Sequence, residues 1–205
     1  MTPTPTRMHA ADRRNQLLDV AIDLFSRKGF SGTTTKEIAA AAGVTEAIIF
    51  RHFATKQDLY KAILDTRCAA PEARFWFDDT RRFMDVNDDE GLFRALISNI
   101  IRTKREDPRF ERLMLHAALE GHELAIMLHN EFALPIGAML TDYIERRQQE
   151  GALRQLDPKA VIFAIAGVAH FYAHQKYLYQ CADIPMSDEA VVDAFLSIVM
   201  KGLQS

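Results

Sequence analysis

The stretch GTTTKEIAAAAGVTEAIIFRHFATKQDLYKAIL, Gly32 to Leu64, decides the fold. Thr34-x-x-Glu37 has the form of a capping box: the hydroxyl accepts the N–H of the residue three on, and the carboxylate accepts the N–H of the cap. It predicts a helix from about Thr35 whose buried positions are Ile38, Ala39 and Ala42. Gly43 then offers the left-handed backbone that reverses the chain within a few residues. Thr45 is the cap of a third helix, Glu46 to Phe53, and Thr55-x-x-Asp58 repeats the box for a fourth. A helix of about eight residues is marginal in water, so its neighbours must hold the third one in place.

Working outward, Leu17, Leu18, Ala21, Leu24 and Phe25 recur at three- and four-residue steps from Ala10 on, and Gly29 stops that first helix. The Pro/Thr stretch before it, residues 1–9, reads as a disordered tail. Beyond Lys61 no two-residue alternation persists, so the chain is all-α, with about nine helices. Pro71 ends or interrupts the fourth helix, and DVNDDEG, Asp85 to Gly91, reads as a polar loop before a helix of about Leu92 to Arg105. Pro108 opens another, Gly121 and Pro135 punctuate the stretch after it, and Gly151 closes the helix ending IERRQQE. Asp157-Pro158 starts a helix reaching about Tyr179, and Ser187 starts the last, which ends near Leu203. The expected domains are residues 10–61 and 62–205.

The net charge of −3 conceals an asymmetry: nine Lys/Arg face six Asp/Glu up to Lys61, and sixteen face twenty-two thereafter. A basic end on an acidic remainder points to an anionic partner for the first sixty residues. Cys68 and Cys181 match no redox or zinc spacing, which suits a reducing compartment. The longest apolar run, AVIFAIAGVA from Ala160 to Ala169, is well short of the ~20 residues of a spanning helix, and no leader opens the chain. A soluble, cytoplasmic protein with no membrane partner is expected.

Two helices joined by a short turn at Gly43 form a helix-turn-helix, whose second helix can be short because only its leading turns enter a groove. Ala39, Val44, Ile49 and Phe53 are its inward positions, and Glu46, Ala47, Arg51 and His52 its outward ones. GFSGTTTKEIAAAAGVTEAIIFRHFATKQDLYKAIL resembles the signature of the TetR family of bacterial regulators: Gly-aromatic, Thr, Ile-Ala, Ala-Gly-Val-Thr, aromatic-x-His-Phe and Lys-x-x-Leu. The likeness spans roughly Asp12 to Thr66 and includes LLDVAIDLFSRKGF. It implies a homodimer on a palindromic double-stranded DNA operator, and a small-molecule effector that releases it from the C-terminal domain. By position, it makes Thr35, His52 and Lys56 phosphate contacts and places Lys36, Thr45, Glu46 and Ala47 at base edges. Arg51 is left between a guanine and a phosphate. Ile48 and Phe50 depart from the pattern, standing where the family usually has Thr or Ser and Tyr, so two backbone-contacting hydroxyls are missing per subunit.

The C-terminal part carries nine of the thirteen Phe and the single Trp. Trp76, Phe77, Phe93, Phe110, Phe132, Phe163, Phe171, His170 and His174 are the expected lining of an effector pocket, though an aromatic at helical spacing is also ordinary core. His170 and His174 lie one turn apart, yet no third ligand sits at a fixed offset, so no metal or other cofactor is expected. His116, Glu120, His122, Glu123, His129 and Glu131 read as a solvated face. The last two helices are apolar on more than one side, and burying Val161, Ile165, Val168, Val191, Phe195, Ile198 and Val199 against a second copy resolves that. No nucleophile motif or phosphate loop suggests an enzyme. A helical interaction adaptor that never meets DNA is the alternative; it accounts for these last helices and not for Thr34 to Lys56.

Overall fold

The computed structural model describes residues 9–68, 71–180 and 184–203, without the side chains of 68, 71–77 and 132. Residues 1–8 and Cys181, and the side chains of Cys68, Trp76, Phe77 and Phe132, therefore lie outside the described residues. Among the described residues there is no strand. The helices are α1 Ala10–Lys28, α2 Thr35–Ala41, α3 Glu46–His52, α4 Lys56–Cys68, α5 Pro71–Asp85, α6 Asp89–Glu106, α7 Pro108–Leu119, α8 Glu123–Leu128, α9 Leu134–Gln149, α10 Pro158–Ala173 and α11 Asp188–Leu203. A π-helical turn, His129–Ala133, joins α8 to α9, and a second, His174–Leu178, prolongs α10.

The chain forms two compact units, 1–68 with 109–125, and 69–108 with 126–205. The boundary expected after residue 61 thus falls later, and α7 belongs with the N-terminal unit. Three links within that unit explain this. Arg109 pairs with Asp19 of α1 at 3.0 Å, Tyr60 donates to the Leu113 carbonyl at 3.5 Å, and Gln57 hydrogen-bonds Glu123.

In the second unit α6 is the central helix, packed against α5, α10 and α11 around Phe93, Ile97, Ile101, Tyr143, Ile144 and Ile165. It begins three residues earlier than the periodicity suggests, because the Asp88 side chain accepts the Gly91 N–H at 2.8 Å and caps it. Asp89, in its first turn, holds Arg147 of α9 through two bonds of 2.9 Å and also accepts the Tyr143 hydroxyl. The uninterrupted helix Glu123–Gln149, 27 residues, is by length and composition long and apolar enough to cross a membrane, which the run at Ala160 is not.

Two expectations about this unit are corrected. Val161, Ile165 and Val191 are buried in the protomer's own core, so they are not free to meet a second copy. The outer face of α10 is instead Phe163 (76% exposed), Val168 and Phe171 (67%), and Ile198 of α11 is exposed as well (69%). Phe163 and Phe171 accordingly line no internal pocket. Phe93 is fully buried core, Phe110 of the N-terminal unit lies half-buried under the Arg67 guanidinium, and the His170 and His174 rings stack edge-on at 5.6 Å. Phe195 and Val199 are half-buried against the core, leaving Val168 and Ile198 as the seam positions that are exposed.

The Asp89–Arg147 pair is enclosed and bidentate, its side chains 12% and 14% exposed. Removing one partner strands the other, so Arg147→Met should cost about 3 kcal/mol in urea unfolding. The double variant Asp89→Leu/Arg147→Met should recover part of that loss, and equal losses in the two would contradict this account.

Candidate nucleic-acid interface

The helix-turn-helix is built as its spacing requires. Thr34 and Glu37 form the reciprocal box, the hydroxyl accepting the Glu37 N–H at 3.2 Å and the carboxylate the Thr34 N–H at 2.9 Å. Lys28 adds an ion pair at 2.7 Å and, ahead of the Thr34 bonds, holds the Glu37 carboxyl down to about 2. Gly43 takes φ +66°, and the Val44 N–H bonds back to Ala39 at 2.9 Å to close the turn. Thr45 has the extended backbone of a cap, but its side chain makes no capping bond. Thr55 and Asp58 make the second box at the start of α4. Ile38, Ile49 and Phe53 are buried, and Lys36, Thr45, Ala47 and Arg51 are exposed at the opposite side of the motif. Phe50 is 48% exposed, so the ring that replaces a tyrosine remains at the surface.

Two of the three expected phosphate contacts have other partners, and the third is half-buried. The Thr35 hydroxyl donates to Glu46 Oε1 at 2.6 Å, so its proton is engaged across the turn by a residue assigned to base edges. Lys56 Nζ donates to the carbonyls of Phe30 (2.8 Å) and Thr33 (2.9 Å) and lies 4.0 Å from the centre of the Phe30 ring, which makes it a clamp on the α1–α2 loop. An ammonium has three donors, so one is left for DNA. His52 is half-buried, and its Nε2 is covered without a partner. Burial of the ring, then the charges of Arg51, Arg14 and Arg13, lower its pKa from 6.5, which favours neutral imidazole.

Sequence reasoning missed Arg13 and Arg14 at the head of α1. Arg14 lies over Phe53 at 5.1 Å, and Arg13 bonds Gln16 at 2.5 Å, whose amide reaches the Ala42 carbonyl at 3.4 Å. The Arg-Arg pair just ahead of the apolar period was the available signal. Also missed was the anchoring of the loop after α1. Glu120 Oε2 accepts the N–H groups of Phe30 (3.2 Å) and Ser31 (3.4 Å), and the His122 ring lies 4.5 Å from Phe30 and 4.8 Å from Tyr60. Glu120 and His122 are therefore not a purely solvated face. Gly29, at φ +74°, leaves room for that carboxylate, because a Cβ would stand 2.0 Å from Glu120 Oε1.

Residues 17–63 match the family model described as "Bacterial regulatory proteins, tetR family", and residues 90–201, over half the chain, match "Tetracyclin repressor-like, C-terminal domain". The chain belongs to the TetR family. It is a helix-turn-helix, DNA-binding transcriptional regulator. The apolar helix Glu123–Gln149 lies inside the second match, as part of a helical domain. Over 58 residues the chain is 48% identical to the HTH-type transcriptional regulator AcrR of Shigella flexneri, a match spanning 28% of this chain and 27% of that one. Over 163 residues it is 29% identical to the HTH-type transcriptional repressor Rv1474c of Mycobacterium tuberculosis, covering 78% and 79% of the two chains. The crystal structure of AibR in complex with isovaleryl coenzyme A and operator DNA shares the fold, with a TM-score of 0.64 and 22% identity over 91% of this chain and 97% of that one.

A TetR-type motif whose histidine is held neutral should show it in pH dependence. Since the folded pKa of His52 is below the ordinary value of 6.5, its contribution is whole above about pH 6.5 and is lost as pH falls through that value towards the folded pKa. In melting of the N-terminal unit between pH 8 and 5, His52→Gln should flatten the acid side of the profile relative to the native chain. Parallel profiles would show that His52 does not titrate in this way.

Proposed function

We propose that the protein is a homodimeric repressor that binds a palindromic operator and is released by a small molecule held in its C-terminal unit. The observation that carries the reading is the exposure of Lys36 on α2 and of Thr45, Ala47 and Arg51 at the start and along the outer side of α3, a helix held from behind by the buried Ile49 and Phe53. That is a rigid presentation of an exposed side, as major-groove reading requires. Arg51, Lys36 and the free donor of Lys56 are the phosphate and base contacts, with Arg13 and Arg14 adding charge at the flank.

Dimerisation is supported by the outer faces of α10 and α11. Phe163 and Phe171 on α10 and Ile198 on α11 are large apolar side chains left exposed in the monomer, and the exposed Ala164 and Gly167 of α10 permit close helix approach. The effector is received in the second unit, which contains a cleft of about 870 Å³ among α5, α6 and α11. Phe83, Ile101 and Val192 give it apolar wall, and Arg94, Arg102, Arg105 and Asp188 polar wall. Of the expected lining residues whose side chains are described, Phe93, Phe110, Phe163, His170, Phe171 and His174, none borders this cleft. The AibR complex holds an acyl-coenzyme A, which supports a small-molecule ligand for this fold. Occupancy changes the separation of the two α3 helices so that they no longer match grooves ~34 Å apart. The protein acts by binding and conformational change and not by catalysis, in the cytoplasm where its DNA is.

Two measurements test this. Duplex affinity should fall with salt at a log–log slope of about −4 to −7, from five to eight phosphates neutralised per dimer; a flat response would refute operator binding. Phe171→Glu and Ile198→Glu should yield folded monomers by light scattering with duplex binding largely lost. Variants that remain dimeric, or monomers that bind like the native chain, would refute the seam.

A further inference from the structure

The Thr35–Glu46 bond gives the interface something the repressor reading does not require: a carboxylate at the leading position of a DNA-facing helix. Glu46 is the first residue of α3, half-buried, and one of its oxygens accepts the α2 hydroxyl at 2.6 Å. A carboxylate facing a phosphate backbone is repelled, so this residue weakens binding to duplex in general. It is tolerated only where something on the DNA donates to it. In the major groove the donors are the amino groups of cytosine and adenine, and cytosine N4 suits a carboxylate, which only accepts; adenine couples its amino group to an acceptor, N7, that a carboxylate cannot satisfy.

We infer that Glu46 is the specificity-determining residue of this interface, selecting a cytosine in each half-site, and that Thr35 is its positioning residue and not a phosphate contact. The inference rests on the regulatory reading above and adds to it the identity of one base pair. The geometry fixes the mechanism. The Thr35 hydroxyl satisfies Oε1 and limits the rotation of a side chain that otherwise has three free torsions, so the second oxygen is held in one direction before DNA arrives. Wrong bases are rejected by a repulsive element: thymine O4 and guanine O6 and N7 are acceptors, and each leaves the carboxylate facing an acceptor with no proton between them. Ala47, exposed beside it, discriminates weakly by comparison, since a methyl contact carries no such penalty.

Selection from a random-sequence duplex pool, using the full-length chain, tests both residues without a known operator. The native chain should enrich a palindrome with one invariant cytosine per half-site, preferred over other bases by about 5- to 150-fold. Glu46→Ala should keep the palindrome and lose that preference, and Glu46→Gln should move it to adenine, whose N6 and N7 a carboxamide pairs with. Both should bind a scrambled duplex roughly two- to fivefold more tightly per subunit at low salt, because a like charge has been removed. Thr35→Val should retain the cytosine and broaden the selection, with Thr35→Ser restoring it; a phosphate contact would instead weaken all sequences equally. If the native chain enriches a palindrome that Glu46→Ala and Glu46→Gln enrich unchanged, the selector is refuted and the repressor stands. If no chain enriches any sequence at any salt, both readings fall.

Discussion

The interface depends on one constraint: α3 is seven residues long and cannot hold a direction by itself. Everything around it compensates. Gly43 in the left-handed region lets the chain reverse without strain, the Thr34–Glu37 box fixes the start of α2, and Ile49 and Phe53 bury the inner side of the helix. Helix hydrogen bonds alone would leave so short a segment frayed, so it is the packing of Ile49 within it and of Phe53 at its end that orients the other six. The outward residues are free to be chosen for DNA because they contribute little to holding the motif together.

The same reasoning applies to charge. The surplus of Lys and Arg in the first sixty residues suggests a broad basic face, yet much of it is internally committed. Lys28 serves Glu37, Arg27 serves Asp23, and Lys56 serves two carbonyls of the loop it clamps. Among the described residues, what the proposed reading leaves for DNA is narrower, around Lys36, Arg51 and the Arg13–Arg14 pair. A footprint with few free cations and one carboxylate at its head favours discrimination between sequences over raw affinity, because the part of binding common to all duplexes is small.

What the sequence made legible was local. Both capping boxes, Gly43, the start of α7 at Pro108 and the end of α9 before Gly151 involve residues within a turn of each other, where spacing determines geometry. What it concealed were partnerships across the fold. Thr35 with Glu46, Glu120 with the Phe30 and Ser31 amides, and Arg109 with Asp19 join residues that no period connects, and the last two tie α7 and the residue after it to the N-terminal unit. The seam was misassigned for a different reason. α10 is apolar on both sides, so its periodicity shows that two faces are buried but not which one the protomer keeps; Val161 and Ile165 went inward and Phe163 and Phe171 outward. Aromatic content marks core and cavity alike, as the buried Phe93 shows, and the cleft mixes apolar residues with charged ones that carry no such signal.

One carboxylate ties these features together. Asp188, at the start of α11, accepts the hydroxyls of Tyr172 (2.9 Å) and Tyr177 (2.6 Å), pairs with Lys176 at 3.0 Å, all on α10 or its π-helical extension, and holds Arg105 of α6 at 3.0 Å. Burial, reinforced by the bonds to Asp188, raises the Tyr177 phenol to about 12, while those donors lower the carboxyl itself despite its partial burial. Asp188 is therefore a charged pivot shared by both helices of the apolar outer face and by the helix that lines the cleft. A molecule entering the cleft meets Arg105 on the same surface, and any competition for that guanidinium is felt at the point where α10 and α11 are joined. A rigid apolar seam responds to no small ligand by itself, since hydrophobic contacts are non-directional. On the proposed reading, a directional polar node shared by α6, α10 and α11 gives a ligand at Arg105 a way to act on the last two helices.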